Sequence, residues 1–231
     1  MKRVAIFISI FTSFLIALNN DKPNFKNLNF RFIGPDGNRA IAISGVSSDH
    51  KTYYVGAASG GLFKTTNKGI SWEPIFDDQD VSSVSAIAIS QKNPNIVWAG
   101  TGETFLIRPA HAIGDGIYKS EDGGNTWKNM GLQKTARIAK IVIHPKNDKI
   151  VYVAALGHTF GPQKDRGIYK TTNGGKTWKK ILFIDQNTGG IDIAIDRKNP
   201  NFLIASMWEI YINTWGLNSG GESGGVFISK N

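Results

Sequence analysis

Lys119-Ser-Glu-Asp-Gly-Gly-Asn-Thr-Trp127 is the most informative segment of the chain, because similar segments recur at a regular spacing. Two further copies are Lys64-Thr-Thr-Asn-Lys-Gly-Ile-Ser-Trp72 and Lys170-Thr-Thr-Asn-Gly-Gly-Lys-Thr-Trp178, and Phe227-Ile-Ser-Lys-Asn231 begins a fourth. Successive motif tryptophans are 55 and 51 residues apart. Self-similarity at a fixed period of this length predicts a repeat architecture.

The residues around each motif follow one order. An apolar run such as Ala86–Ile89 is followed by a turn such as Lys92–Asn95 and by a second apolar run such as Ile96–Gly100. A third run such as Gly116–Lys119 enters the motif, and a fourth short strand is expected to start at each motif Trp. Pro and Asn favour the turns because one presets φ and the other bonds its own backbone. Four antiparallel strands in about 50 residues are typical of a propeller blade.

The sequence therefore predicts an all-β fold, a β-propeller of four-stranded blades that is incomplete, with roughly three and a half blades present. We expect residues 1–20 to be a signal peptide and residues 21–231 to form the partial propeller. The expected blades span about 28–76, 77–131, 132–184 and 185–231, the last of them truncated.

The repeated motif is interpreted as a structural element that stabilises the hairpin between the third and fourth strands of a blade. An Asn or Asp is expected to bond backbone N–H groups two residues on, a Gly permits positive φ, and a Trp buries a large ring. The residues concerned are Asn67, Gly69, Trp72, Asp122, Gly124, Trp127, Asn173, Gly175 and Trp178. The alternative is a calcium loop, which needs several oxygen ligands and a late Glu. Each motif offers at most one carboxylate at its Asn or Asp position, so a structural role is preferred and no metal is expected.

The N-terminus predicts export. Lys2 and Arg3 precede a 15-residue apolar stretch, Val4–Leu18, which is shorter than the ~20 residues of a membrane span. An uncleaved membrane anchor is the alternative. The chain has no cysteine and a formal net charge of +9. Its lysines are spread along the turns, without a clustered basic patch, so neither a nucleic-acid partner nor a cofactor is predicted.

The repeated turn resembles the Asp-box, also called the bacterial neuraminidase repeat, with Asn in place of Asp in two copies. The stretches Tyr54–Thr66 and Val151–His158 are similar to the N-terminal propeller of large secreted bacterial proteins of the sortilin type, also labelled glycosyl-hydrolase-like. This resemblance covers roughly residues 28–231 and implies a multi-bladed propeller. It does not specify a reaction.

The segment between the second and third strands of each blade is expected to be a loop, and in the fourth blade this loop is expected to span 206–224. Long loops on one face of a rigid scaffold are where binding usually resides. Arg39 and Arg137 take the same place just before the first strand of their blades, where the other blades have about Ser83 and Gly189. Such arginines suit carboxylate or sulfate recognition. An inter-blade salt bridge or carbonyl contact explains them equally well.

Further candidates share that face. They are Glu103, His111, His158, Trp208 and Glu209. Trp208, Tyr211 and Trp215 are candidates for a sugar-stacking platform, or for packing of a long loop onto the propeller. The histidines are candidate ligands or bases, although no metal-binding spacing supports either role.

A glycosidase needs two carboxylates across a cleft. The weak candidates are Glu103 and Glu209, with Asp115, Asp165 and Glu222 beside them. Xyloglucanase-like Asp-box propellers place a catalytic Asp before the Gly-Gly of the first blade, where this chain has Ala57-Ala-Ser-Gly-Gly61. Sialidases have an Arg-Ile-Pro motif, to which the nearest stretch is Arg31-Phe-Ile-Gly34. The preferred hypothesis is therefore a non-catalytic binding scaffold.

This scaffold is expected to bind protein or carbohydrate through its loop-rich face, and to contact the remaining blades of the same polypeptide. A membrane is expected to be contacted only through an uncleaved signal. The alternative is an Asp-box glycoside hydrolase whose acids lie partly on missing blades.

Overall fold

A computed structural model describes residues 29–36, 39–104, 112–158 and 160–230 of the protein. The chain divides into two compact units, residues 1–32 and residues 33–231. In the first unit the described residues, 29–32, form no helix or strand. The described part of the second unit consists almost entirely of β-strands and turns. Across all four described ranges, no helix has the length and apolar character needed to cross a bilayer.

Sixteen strands are present in the described residues of the second unit. They are β1 Ala40–Gly45, β2 Tyr53–Ala57, β3 Leu62–Thr65, β4 Glu73–Pro74, β5 Val84–Ile89, β6 Val97–Thr101, β7 Ile117–Ser120, β8 Lys128–Asn129, β9 Ile138–Ile143, β10 Val151–Ala155, β11 Gly167–Thr171, β12 Lys179–Leu182, β13 Thr188–Ile195, β14 Leu203–Asn213, β15 Gly216–Ser219 and β16 Gly225–Ser229. A 3-10 turn at Gln133–Thr135 precedes β9.

The strands form four separate antiparallel sheets. The first three are simple meanders with the orders β1-β2-β3-β4, β5-β6-β7-β8 and β9-β10-β11-β12. In the fourth, β13, β14 and β16 occupy the places of the first three strands of a blade. The predicted all-β architecture of antiparallel propeller blades is confirmed.

The stretch 206–224 was expected to be a loop, and this was wrong. Strand β14 continues beyond the sheet as far as Asn213 and folds back through β15, with Tyr211 opposite Asn218 and Ile212 opposite Leu217. Alternating apolar residues at Ile210 and Ile212 favour this extended hairpin, and both are buried. The fourth repeat therefore presents a strand pair at this end of its sheet.

The first strand of every sheet carries one extra residue at the same point. In the first sheet Ala40 lies opposite Ala57 and Ala42 lies opposite Gly56, so that Ile41 is unpaired. The other three sheets repeat this irregularity after Val84, Ile138 and Gly190. Such bulges bend a strand and increase its twist. Aligning the sheets on their bulges makes Arg39, Ser83, Arg137 and Gly189 equivalent positions.

Apolar side chains from neighbouring sheets form the core. Successive first strands contact one another, from β1 through β5 and β9 to β13. Separate buried clusters fill the spaces between the sheets, and Trp98 and Ile138 belong to the one between the second and third. All five residues of β6 and of β10 are buried, because sheets pack on both of their faces.

The meander order gives each sheet two ends, which define two faces. We call the box face the end formed by the first-to-second-strand turns and the motif turns, which are 46–52, 64–72, 90–96, 119–127, 144–150, 170–178 and 196–202. The opposite end is the loop face, formed among the described residues by 35–36, 39, 58–61, 77–83, 102–104, 112–116, 132–137, 156–158, 160–166, 183–187 and 208–224.

The three Asp-box turns share one hydrogen-bond pattern. The Asp122 carboxylate accepts the N–H of Thr126, at 2.9 Å, and its hydroxyl, at 2.6 Å. Asn67 and Asn173 accept the equivalent N–H at 3.0 Å. The bond therefore spans four residues and not the two that were expected, because a glycine with positive φ lengthens the turn. A hydroxyl at the second motif position, such as that of Ser120, accepts the glycine N–H.

The indole of each motif Trp donates a hydrogen bond to a backbone carbonyl earlier in the chain. The indole Nε1 of Trp127 donates to the Ile75 carbonyl at 2.7 Å, and that of Trp178 donates to Met130 at 2.8 Å. Trp72 donates in the same way to Ile33. The carbonyls of Ile75 and Met130 directly follow the last strand of the preceding sheet, so Trp127 and Trp178 connect neighbouring sheets, whereas Ile33 precedes β1.

Candidate functional site

Glu103 is the centre of a polar cluster on the loop face. It follows β6, and its side chain is buried, with 6 % exposed. Its carboxylate accepts a hydrogen bond from the Arg39 guanidinium of the first repeat. The Arg39 side chain is 42 % exposed, so one side of this ion pair reaches solvent. The pair thus connects the first repeat to the loop of the second.

Arg137 lies beside Glu103 but does not point into solvent. Its Nε donates to the Glu103 carbonyl at 2.9 Å and its Nη1 donates to the Gly157 carbonyl at 3.3 Å. Burial lowers the pKa of Arg137, while the nearby Glu103 carboxylate opposes the shift. The guanidinium joins the loop of the second repeat to that of the third. This geometry matches the inter-blade carbonyl contact, which was one of the two interpretations of the equivalent arginines.

A third arginine, Arg166, makes the corresponding connection to the fourth repeat. It is fully buried, and its Nη1 donates to the carbonyls of Asn187 and Ile210, both at 2.8 Å. Its Nη2 donates to the His158 carbonyl at 2.7 Å. Burial lowers the pKa of Arg166 to about 10, which still leaves the group charged at neutral pH.

His158 and Asp185 border this buried guanidinium. Burial lowers the pKa of His158, and the positive charge of Arg137 adds to the shift, so the imidazole is neutral near pH 7. For Asp185, burial acts to raise the pKa, but hydrogen bonds from the Ser223 side chain and from backbone amides outweigh it and lower the pKa. The Asp185 carboxylate accepts the N–H groups of Asn187 and Thr188 and so fixes the entry into β13.

Glu209 lies on the extended part of β14, under a glycine-rich turn. The Ser223 N–H donates to its carboxylate at 3.2 Å, and the Gly220 N–H donates to its carbonyl at 2.9 Å. An added Cβ at Gly221 would lie 2.0 Å from the Glu209 carboxylate, so a side chain there would displace this carboxylate. Glu209 therefore stabilises the turn that connects β15 to β16.

The three aromatic candidates do not form one platform. Trp208 and Tyr211 project from opposite sides of β14, because they are an odd number of residues apart. Trp208 packs against the small buried cluster of Leu156 and Ile210, which is the loop-packing alternative. Trp215 lies at the hairpin turn with 92 % of its surface exposed.

The remaining carboxylates are dispersed over the loop face. Asp115 accepts the hydroxyl of Tyr118 at 2.6 Å. Asp165 lies next to Arg166 in sequence, and Glu222 is exposed on the glycine-rich turn. The connection Ala57–Gly61 carries no carboxylate, and its first two residues are buried. Among the residues that the structure describes, no group of three or more His, Asp or Glu side chains is arranged to hold a metal ion.

The structure thus brings Arg39, Glu103 and Arg137 together and places His158 near them. It leaves Trp208 and Glu209 on the separate hairpin. His111 lies outside the described residues, as does the expected signal peptide. The residues that the sequence did not single out are Arg166 and Asp185. Their partners are largely backbone groups, and two carbonyls of Arg166 lie 21 and 44 residues away, so no motif spacing could reveal them.

The sequence is similar to that of a curated protein. The protein is 22 % identical over 171 residues to a probable oligoxyloglucan-reducing end-specific xyloglucanase of Neosartorya fischeri, a match that covers 65 % of this chain and 19 % of that one. The chain thus spans about a fifth of the length of this curated relative.

Two solved structures share the propeller fold. The GH74 enzyme of Niastella koreensis superposes with a TM-score of 0.62 at 20 % identity, over 82 % of this chain and 28 % of that one. YCF48 bound to D1 peptide superposes with a TM-score of 0.52 at 15 % identity, over 84 % and 60 % respectively.

The family model named Sortilin-Vps10, described as sortilin, neurotensin receptor 3, matches residues 115–231. This match covers slightly more than half of the chain and includes the second and third Asp-box turns. The regular Asp-box repeats and the antiparallel four-stranded sheets agree with this family match. The chain therefore belongs to the Sortilin-Vps10 family.

Proposed function

We propose that the protein is an exported, non-catalytic scaffold that binds protein or glycan partners through its loop face. The main support for this proposal is the structural role of the two candidate catalytic carboxylates. Glu103 is buried and paired with Arg39, and Glu209 is covered by the turn that contains Ser223. Both groups hold loops in place, whereas a glycosidase needs two carboxylates facing an open cleft.

Buried guanidinium groups support the same proposal. Arg137 and Arg166 bind carbonyls of loops from adjacent repeats and so fix the backbone from which the exposed side chains project. A surface that is already ordered loses less conformational entropy when a partner binds. The exposed part of Arg39 then offers a guanidinium to a carboxylate or sulfate of the partner.

The competing function is glycoside hydrolysis, which the similarity to a xyloglucanase favours. The two functions differ in a direct assay of the purified protein on peptide and xyloglucan-oligosaccharide arrays. We expect saturable binding without release of reducing sugar. Arg39→Ala should weaken binding by about tenfold, or about 1.4 kcal/mol. Lys198→Ala on the box face is the matched control and should leave binding unchanged.

Hydrolysis by the wild type that is lost in Glu103→Gln or Glu209→Gln would overturn the scaffold proposal. Because Glu103→Gln also removes the ion pair with Arg39, its thermal transition is measured alongside, and Glu209→Gln supplies the second, independent variant.

A further inference from the structure

The box face collects residues that are far apart in the sequence. Each motif turn is hydrogen-bonded to the first turn of its own sheet, through Lys68 N–H to the Lys51 carbonyl, Gly123 to Asn95 and Gly174 to Lys149, all at 2.9 Å. Each of the first three repeats therefore contributes both of its turns to one surface, and the fourth contributes its first turn. One or two lysines per turn, which look dispersed in the sequence, consequently become neighbours.

The two faces of the second unit carry opposite charge. The seven turns of the box face contain eleven basic and five acidic residues. The described residues of the loop face contain ten acidic and five basic residues. Most of the box-face cations are exposed, whereas Lys64, Lys119 and Lys170 lie half-buried over the rings of Tyr54, Trp98 and Tyr152, at 5.3–5.6 Å.

A groove of about 750 Å³ runs between the second and third Asp-box turns. Four lysines line it, Lys119, Lys128, Lys149 and Lys176, and Glu121 is its only acidic lining residue. Glu121 is paired with Lys119. Met130 and the edge of Trp127 add apolar surface. The volume lies within the range of sites that enclose ligands.

We propose that this groove binds an extended acidic polypeptide segment that carries apolar side chains among its Asp and Glu residues. Carboxylates complement the lysine ammonium groups, which are concentrated on this face. An apolar side chain of the same segment covers Met130 and Trp127. This binding site is separate from the loop face, and it stands whether or not the proposed scaffold function does.

Trp127 argues against a sugar chain as the occupant. Its Nε1 is already bonded to the Ile75 and Gly124 carbonyls, and its ring meets Phe76 edge to face at 5.3 Å. The indole is therefore fixed by these contacts and is only half-exposed, which leaves less of its ring available for stacking on a sugar. A lipid bilayer is a flat surface, so it would contact the exposed Lys149 and Lys176 more readily than the half-buried Met130 and Trp127.

The probe is a fluorescently labelled, Glu-rich dodecapeptide with a central Leu pair. Its fluorescence anisotropy is measured while the whole protein is titrated in, at low ionic strength, where the Debye length exceeds about 10 Å. The groove variant is Lys149→Glu with Lys176→Glu. The matched control is Lys51→Glu with Lys68→Glu, which makes the same charge change on the same face outside the groove. Both pairs are exposed, so folding is checked by the thermal transition.

We expect the groove variant to raise Kd by about tenfold or more, and the control to raise it by less than about threefold. Arg39→Ala on the loop face should leave Kd unchanged, which separates this site from the proposed scaffold function. Equal losses in the two pairs would overturn the proposal in favour of general charge attraction. The proposal is also overturned if the peptide does not bind. Tighter binding of dextran sulfate or of phosphatidylserine vesicles than of the peptide, weakened by the groove variant and not by the control, would likewise overturn it.

Discussion

At the scale of single residues, two adjacent glycines of the third Asp-box show what the motif requires. Gly174 and Gly175 both have positive φ, at 72° and 90°, so a side chain at either position is strained. Their surroundings differ. An added Cβ at Gly175 would lie 2.6 Å from the Trp98 ring, whereas one at Gly174 would meet only the Lys119 ammonium, at 3.9 Å.

We therefore expect Gly174→Ala to lower the free energy of unfolding by about 1 kcal/mol, from the backbone alone. Gly175→Ala should cost about 1–3 kcal/mol more, because the fully buried Trp98 has no room to move. Denaturant unfolding of the two variants provides the comparison, with Gly174→Ala as the control for backbone strain. Equal losses would mean that packing against Trp98 does not matter.

At the scale of the element, the three Asp-box hairpins are built alike, but only the second has an acidic residue at the position that accepts the hydrogen bond within the turn. Asp122 occupies the position of Asn67 and Asn173, and all three accept the N–H four residues on. Hydrogen bonds from the Thr126 side chain and backbone lower the pKa of Asp122 to about 2. The second hairpin should thus respond to acid through this residue, and the other two should not.

The pKa of Asp122 is lower in the folded protein than its ordinary value of 3.8. Its contribution to stability is therefore complete above about pH 4 and is lost as the pH falls through about pH 2. Asp122→Asn should remove this part of the acid sensitivity, so that Tm falls less steeply between these pH values than in the wild type. Thermal unfolding across the range tests this, with Asp148→Asn as a control, and parallel curves for wild type and Asp122→Asn would contradict it.

At the scale of the second unit, adjacent sheets are connected by motif tryptophans near the box face and by arginines at the loop face. Arg166 connects the third repeat to the fourth through the carbonyls of Asn187 and Ile210. In repeat proteins each unit is stabilised chiefly by its contacts with direct neighbours. Loss of one such connection should therefore act locally.

Arg166→Lys removes the planar fork that reaches carbonyls on both repeats, and we expect a loss of about 2–4 kcal/mol. Amide hydrogen exchange should accelerate in β13 and β14 while β5 and β6 keep their protection. Lys164→Ala, an exposed neighbour, is the control and should change neither region. Uniform acceleration throughout the chain would show that the repeats do not open separately.

The sequence predicted the repeat, its strands and its tight turns because these depend on local patterns. An Asp-box carries its own turn chemistry, and an apolar run such as Val97–Thr101 indicates a buried strand wherever it occurs. The extended β14–β15 hairpin was missed because its Gly, Asn and Ser residues are typical of a loop. Its strand pairing depends on the burial of Ile210 and Ile212.

The propeller class and the Asp-box turns follow from the sequence alone, because hydrogen bonds within a nine-residue turn need no distant partner. The roles of Glu103, Arg137 and Arg166 emerge only in the folded chain, since their partners are mostly carbonyls and charges in other repeats. The tertiary structure also decided where the positive charge lies. The topology of a meander brings every motif turn to the same face, and lysines that are about 50 residues apart in the sequence become one surface.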